Sequence, residues 1–217
     1  MRIRLGLIVL LMSLLSACSN KAVVGDGKTT KVSRDVDAFS RIEVQGHIVL
    51  SFKQAKKQSV EVEADSNIIP VVLTSVEKGV LIISMNPKIQ FSTKNPVTVN
   101  IQAPSLAELT SSGANSVAMT NLNLNGLSVE FNGAGQGTFS GAVSEVNFHV
   151  VGTSRIQAKN LQTKDAKVSV VGAGEVGLSV SDYLTVDISG VGHVTYFGDP
   201  KVEKKVYGLG QLIQGES

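Results

Sequence analysis

Residues 168–194 read VSVVGAGEVGLSVSDYLTVDISGVGHV. Two copies of one phrase stand in that stretch, each an alternating approach to a glycine with a second glycine two residues on. Across residues 109–214 the phrase occurs six times, centred on Gly113, Gly133, Gly152, Gly172, Gly190 and Gly208. The spacings are 20, 19, 20, 18 and 18 residues. A fixed period of this size marks a stacked repeat, whose single unit cannot bury its apolar face alone.

Alignment on that glycine exposes the columns of the unit. Two residues before it stand Ser111, Phe131, Val150, Val170, Ile188 and Val206; four before it stand Leu109, Val129, Phe148, Val168, Val186 and Lys204. Between these mostly apolar columns lie Thr110, Glu130, His149, Ser169, Asp187 and Lys205, so the approach has the period of a strand with one wet face. The second residue after the glycine is Asn115, Gly135, Ser154, Gly174, Gly192 or Gly210. Glycine and asparagine tolerate positive φ, so the G-x-G phrase predicts a corner between two strands. Beyond it the alternation resumes in a new phase. Polar Ser116, Gln136, Arg155, Glu175, His193 and Gln211 each precede one of Val117, Gly137, Ile156, Val176, Val194 and Leu212.

A rung of 18 to 20 residues is thus two short strands, a corner and a connection back. The arrangement that buries its columns is all-β: a single parallel β-helix, or β-solenoid, with each rung about 4.8 Å above the last. Residues 32–110 keep the strand period without the repeated corner. Phe39, Ile42 and Val44 alternate up to Gly46, and Ile48, Leu50 and Phe52 follow, as an earlier rung would. Apolar stretches at residues 60–64, 80–84 and 97–101 are separated by turn signals, among them Asn86-Pro87 and Asn95-Pro96. More irregular rungs, or a small sheet capping the helix, are expected there.

The first 17 residues carry Arg2 and Arg4, an apolar run and then small residues, the form of a secretory leader. Leu15-Ser16-Ala17-Cys18 resembles the bacterial lipobox, which implies that Cys18 is acylated and becomes the first residue after cleavage. It is the one cysteine, so no intrachain disulfide can form. In lipoproteins of this type an aspartate at the next position favours the inner membrane, and Ser19 therefore implies the outer one. Residues 18–31 are polar and glycine-bearing, a tether between lipid and domain, which leaves residues 32–217 as one domain.

The chain has 20 basic and 18 acidic residues, and without Arg2 and Arg4 the balance is 18 to 18. Such a surface makes no electrostatic case for nucleic acid. Five per cent aromatic residues and no tryptophan argue against extensive sugar stacking.

The segment from Asp37 to Gly46 (DAFSRIEVQG), the Ala103-Pro104-Ser105-Leu106 entry to the repeats, the recurring glycine corners and ISGVGHVTYFGDP at residues 188–200 together resemble the head GIN domain family. That family is described as putative auto-transporter adhesin. The resemblance covers residues 36–214 and implies a β-solenoid on secreted or envelope proteins, with no catalytic set to carry over. The sequence departs from the pattern at Gly152-Thr153-Ser154, which lacks the second corner glycine, and at Tyr207-Gly208, where serine is usual.

Some β-helices degrade polysaccharides, and such sites need clustered carboxylates or a cation-binding set. The column before the corner intersperses unlike charges. After the corner, Arg155, Glu175 and His193 succeed one another, the one surface cluster that stacking would assemble. A solvated charge ladder explains it equally, and His47, His149 and His193 are too dispersed for metal ligation. No cofactor motif is present. The expectation is a non-catalytic, lipid-anchored envelope protein with an adhesin-like or structural role, partnered by the membrane and by a surface protein or polysaccharide. A carbohydrate-active β-helix enzyme and a periplasm-facing scaffold are the alternatives.

Overall fold

The computed structural model describes residues 22–216; the leader and Cys18 lie outside them. Ten strands make the N-terminal half: β1 (Val23–Val24), β2 (Thr29–Arg34), β3 (Arg41–Gly46), β4 (Val49–Gln54), β5 (Ser59–Asp65), β6 (Val72–Glu77), β7 (Val80–Met85), β8 (Phe91–Ser92), β9 (Thr98–Ala103) and β10 (Glu108–Gly113). Four long strands follow, β11 (Ser116–Gly133), β12 (Gln136–Gly152), β13 (Arg155–Gly172) and β14 (Glu175–Gly190). Then come β15 (His193–Phe197), β16 (Lys201–Gly208) and β17 (Gln211–Gln214). The fold is the expected parallel β-solenoid, of about five turns.

Each rung climbs by parallel pairing with the next, and the corner glycines stand in register. Gly46 pairs with Gly113, then Gly133, Gly152, Gly172, Gly190 and Gly208 follow in one file. All seven have positive φ, from 107° to 127°. The residue after each corner donates its N–H to the glycine carbonyl one rung below, as Ala173 does to Gly152 at 2.8 Å and Val191 to Gly172 at 2.9 Å. Gly46 thereby extends the stack down into the irregular half.

The second corner position departs from expectation. Positive φ is absent at Asn115, Gly135, Gly174 and Gly192, all of which are buried. Small residues are needed there because the position faces inwards over the core: a Cβ on Gly174 would lie 2.6 Å from Val150 Cγ1. The two exceptions turn this into a bonded site. Asn115 is 1% exposed; its Oδ1 accepts from Ile48 N at 2.9 Å and its Nδ2 donates to Ser111 Oγ at 3.1 Å. Ser154 donates to Gly133 O at 3.1 Å and accepts from Gly135 N at 3.0 Å. These bonds also account for polar Ser111 in an apolar column.

The connection back is itself a ladder, which the two-strand reading of the rung missed. Leu122, Gly141 and Leu161 pair in line, as do Asn123, Ala142, Gln162, Ser179 and Phe197, so the long strands run on through a third side. Register shifts at Met119/Leu122 and Ala158/Gln162 mark its first bend. Inside, Val129, Phe148, Val168 and Val186 stack fully buried. Gly137 leaves room for Phe131 and Phe139, and Phe139 meets Phe148 edge-on at 5.3 Å.

The N-terminal half supplies both irregular rungs and a cap. Strands β3, β4, β7, β9 and β10 join the parallel stack, while β6 pairs antiparallel with β7, and β2 and β5 extend the other side antiparallel. Part of the expected tether is built into this cap. Val23–Val24 pairs with Phe91–Ser92, Gly25 N donates to Ser92 O at 2.7 Å, and Asn67 bonds both Asp26 N and Val24 O. Beneath this clasp the buried Asp65 carboxylate accepts from Asn95 Nδ2 at 2.6 Å and Thr93 Oγ1 at 2.7 Å. The strand-bonded body therefore begins at Val23 and not at residue 32.

Candidate functional site

The file of residues three after the corner glycine stands on the outer face of one solenoid side. Parallel pairing places Ser116, Gln136, Arg155, Glu175, His193 and Gln211 on successive rungs. Arg155, Glu175 and His193 are thus neighbours, as their spacing requires. Arg155 Nε donates to Glu175 Oε2 at 2.7 Å, with the two side chains 61% and 56% exposed. A pair this wet contributes about 0–1 kcal/mol. His193 stands exposed one rung further, beside Glu175 in register.

The other histidines remain apart. His149 lies in the file before the corner, between Glu130 and Ser169. His47 shares a shallow groove beside the corner with Arg155 and Glu175. Among the described residues no three His, Cys, Asp or Glu side chains gather as metal ligands.

Two further grooves flank the outer ridge formed by Lys159, whose Nζ lies 4.0 Å from the centre of the Phe197 ring. The first, of about 500 Å³, is lined by Thr138, Ser140, Arg155, Gln157, Glu175 and Thr195 among others. The second, of about 780 Å³, includes Asn125, Ser144, Lys159, Lys164, Ser181 and Asp199. Each presents one carboxylate. Glu175 is engaged by Arg155, and Asp199 Oδ1 accepts from Gln214 Nε2 at 3.2 Å. Hydrolysis of a glycosidic bond by acid and base requires two carboxyl groups across one cleft. These surfaces combine hydroxyls, amides and dispersed charge with apolar side chains such as Phe139, Val143 and Phe197. The sequence does not advertise these grooves, because they arise between the second and third sides and the third side reads there as a connection.

Comparison with known proteins agrees with this architecture. The chain matches the family model described as putative auto-transporter adhesin, head GIN domain, over residues 38–200. Among solved structures it resembles a putative adhesin from Bacteroides fragilis, with a TM-score of 0.74 and 18% identity over 89% of this chain and 100% of that one. A putative lipid binding protein from Parabacteroides distasonis has a TM-score of 0.57 and 19% identity, over 90% of this chain and 100% of that one. A putative adhesin from Parabacteroides merdae has a TM-score of 0.51 and 18% identity, over 90% and 99%. At these identities the likeness establishes the fold. No curated protein matches the chain. Among the described residues no helix is long and apolar enough to cross a membrane.

Proposed function

The chain belongs to the head GIN domain family, and from that membership we propose a lipid-anchored envelope protein that binds through its outer surface without turning its ligand over. The observation that carries the reading is the rung register. Like positions of successive rungs stand in line, so each outer side is an extended polar file, and in the Arg155 file the adjacent unlike charges are closed on one another. A rigid scaffold of this kind gains affinity by meeting a partner over many rungs without a large ordering cost. The anchor is assigned to Cys18 on the leader and lipobox, and outer-membrane residence to Ser19.

The test is a screen of the purified protein against pectins, glycosaminoglycans, alginates and peptidoglycan fragments, read by new reducing ends and unsaturated products. The expected result is no product, with calcium or a chelator making no difference. Adhesion to cells or matrix should persist, altered modestly at most by Arg155→Ala, Glu175→Ala and His193→Ala combined. Reproducible cleavage of one polymer that disappears in this triple variant would replace binding by carbohydrate chemistry.

A further inference from the structure

The last rung carries the bulkiest exposed side chains of the two columns that flank the corner. Immediately before the corner glycine stand Ser112, Asn132, Val151, Val171, Ser189 and Tyr207; immediately after it stand Ala114, Ala134, Thr153, Ala173, Val191 and Leu209. Small or medium-sized side chains, the exposed Val151, Val171 and Val191 among them, fill these columns until the end, where Tyr207 is 68% and Leu209 80% exposed. The inward column changes too, passing from Val186 to Lys204. Val206 and Ile213 are also exposed on this rung.

This end of the stack is open. Strand β16 pairs with β14 alone and β17 with β15 alone, with no strand beyond them, while at the other end the parallel stack gives way to antiparallel β6 and β2 and to the clasp. On β16 stand Lys201, Lys204 and Lys205 against Glu203, and among the described residues none of these lysines has a carboxylate within ion-pair distance. Asp199 and Glu216 lie outside the strand.

We propose that this C-terminal tip docks onto an anionic lipid surface, with Tyr207 and Leu209 entering the headgroup region and Lys201, Lys204 and Lys205 meeting its phosphates. Large apolar side chains beside lysines are the composition that holds a protein at such an interface. The shape fits as well. Tyr207 and Leu209 flank Gly208, whose φ of 119° fixes a convex corner, so they protrude into a deformable surface, whereas a protein partner would need a matching socket. Stacking of a second copy end to end is disfavoured by Lys204, since it would bring like charges into a shared core. The inference deepens the adhesin-like reading, on which it rests, by naming what is gripped at the end of the stack remote from the segment after Cys18.

The full chain is reconstituted in phosphatidylcholine vesicles, and capture of protein-free fluorescent vesicles is measured. Acceptors containing phosphatidylglycerol should be captured, pure phosphatidylcholine acceptors should not, and capture should weaken as salt rises. Tyr207→Ser with Leu209→Ser should reduce capture about tenfold, the effect of losing partial burial of two large apolar side chains. Lys201→Gln, Lys204→Gln and Lys205→Gln together should abolish the preference for anionic acceptors, and this variant decides the matter if the serine pair fails to fold. Equal capture of neutral and anionic acceptors overturns the proposal, as does capture unchanged in a folded serine pair. Clustering of protein-bearing vesicles without acceptors would assign the tip to a second copy and overturn it too. Failure here with cell adhesion intact removes the lipid tip alone, while polymer cleavage would strike the binding reading itself.

Discussion

Replacing Gly172 by alanine tests the corner file in the middle of the regular rungs. At φ 117° an L side chain occupies a sparsely populated region, which costs about 1–3 kcal/mol. The added Cβ would also lie 2.6 Å from the carbonyl oxygen of Gly152, with Gly152 C and N both at 3.3 Å. That oxygen accepts from Ala173 N at 2.8 Å, so moving it aside weakens a hydrogen bond worth about 0.5–1.5 kcal/mol. The loss should total about 2–4 kcal/mol. Five residues on, Gly177 provides the control: its φ is not positive, and the nearest atom to an added Cβ is Ile156 O at 4.0 Å. Gly177→Ala should fall within about 0.5 kcal/mol of the parent, as should Lys164→Ala on the exposed surface. Urea unfolding followed by far-ultraviolet circular dichroism reads the difference. With a slope of about 2 kcal/mol/M, Gly172→Ala lowers the midpoint by about 1–2 M. Midpoints for Gly172→Ala and Gly177→Ala within about 0.3 M of one another, at equal slope, would refute the reasoning.

The clasp should be sensitive to acid. Hydrogen bonds from Asn95 and Thr93 hold the Asp65 carboxyl below the usual carboxylate range, so its contribution is complete above the unfolded value of about 4 and is lost as pH falls through the lower folded one. Urea midpoints from pH 6 to pH 2 should therefore decline less steeply in Asp65→Asn, which starts lower; parallel curves would contradict this. Asn115→Ala should cost about 2–3 kcal/mol because it leaves Ile48 N–H and the Ser111 hydroxyl without their buried partner, and an unchanged midpoint would rule out that role. Cys18→Ala should abolish palmitate labelling while leaving the unfolding midpoint of the domain unchanged; persistent label would remove the anchor.

The corner file and the inward columns were legible because stacking repeats each environment once per rung, so Val129, Phe148, Val168 and Val186 announce one buried position four times. The same logic brings Arg155, Glu175 and His193 together from their spacing alone. Where the letter is shared by two causes, sequence reading fails: glycine serves positive φ at Gly172 and close approach at Gly174, and only geometry separates them. The third side was hidden because the register shifts near Met119 and Ala158 vary the count of residues between bends. The cap was legible only as one of two alternatives, since Val32 and Val62 pair antiparallel across 30 residues without a local turn to advertise it. Asn115 reads as a positive-φ corner residue because nothing local shows that its amide is buried and bonded to Ile48 on the rung beneath and to Ser111 on its own.

The bonds between rungs, such as those from Ala173 N to Gly152 O and from Val191 N to Gly172 O, run along the axis of the stack. Force applied between the clasped segment and the far tip therefore pulls along these bonds and does not shear strand past strand. The last rung has a neighbour on one side only, so it yields first. Its release pays out 18 residues of chain, up to about 60 Å, before the next rung takes the load. Under tension such a body lengthens in steps and spreads a sudden pull over time, keeping the remaining rungs intact.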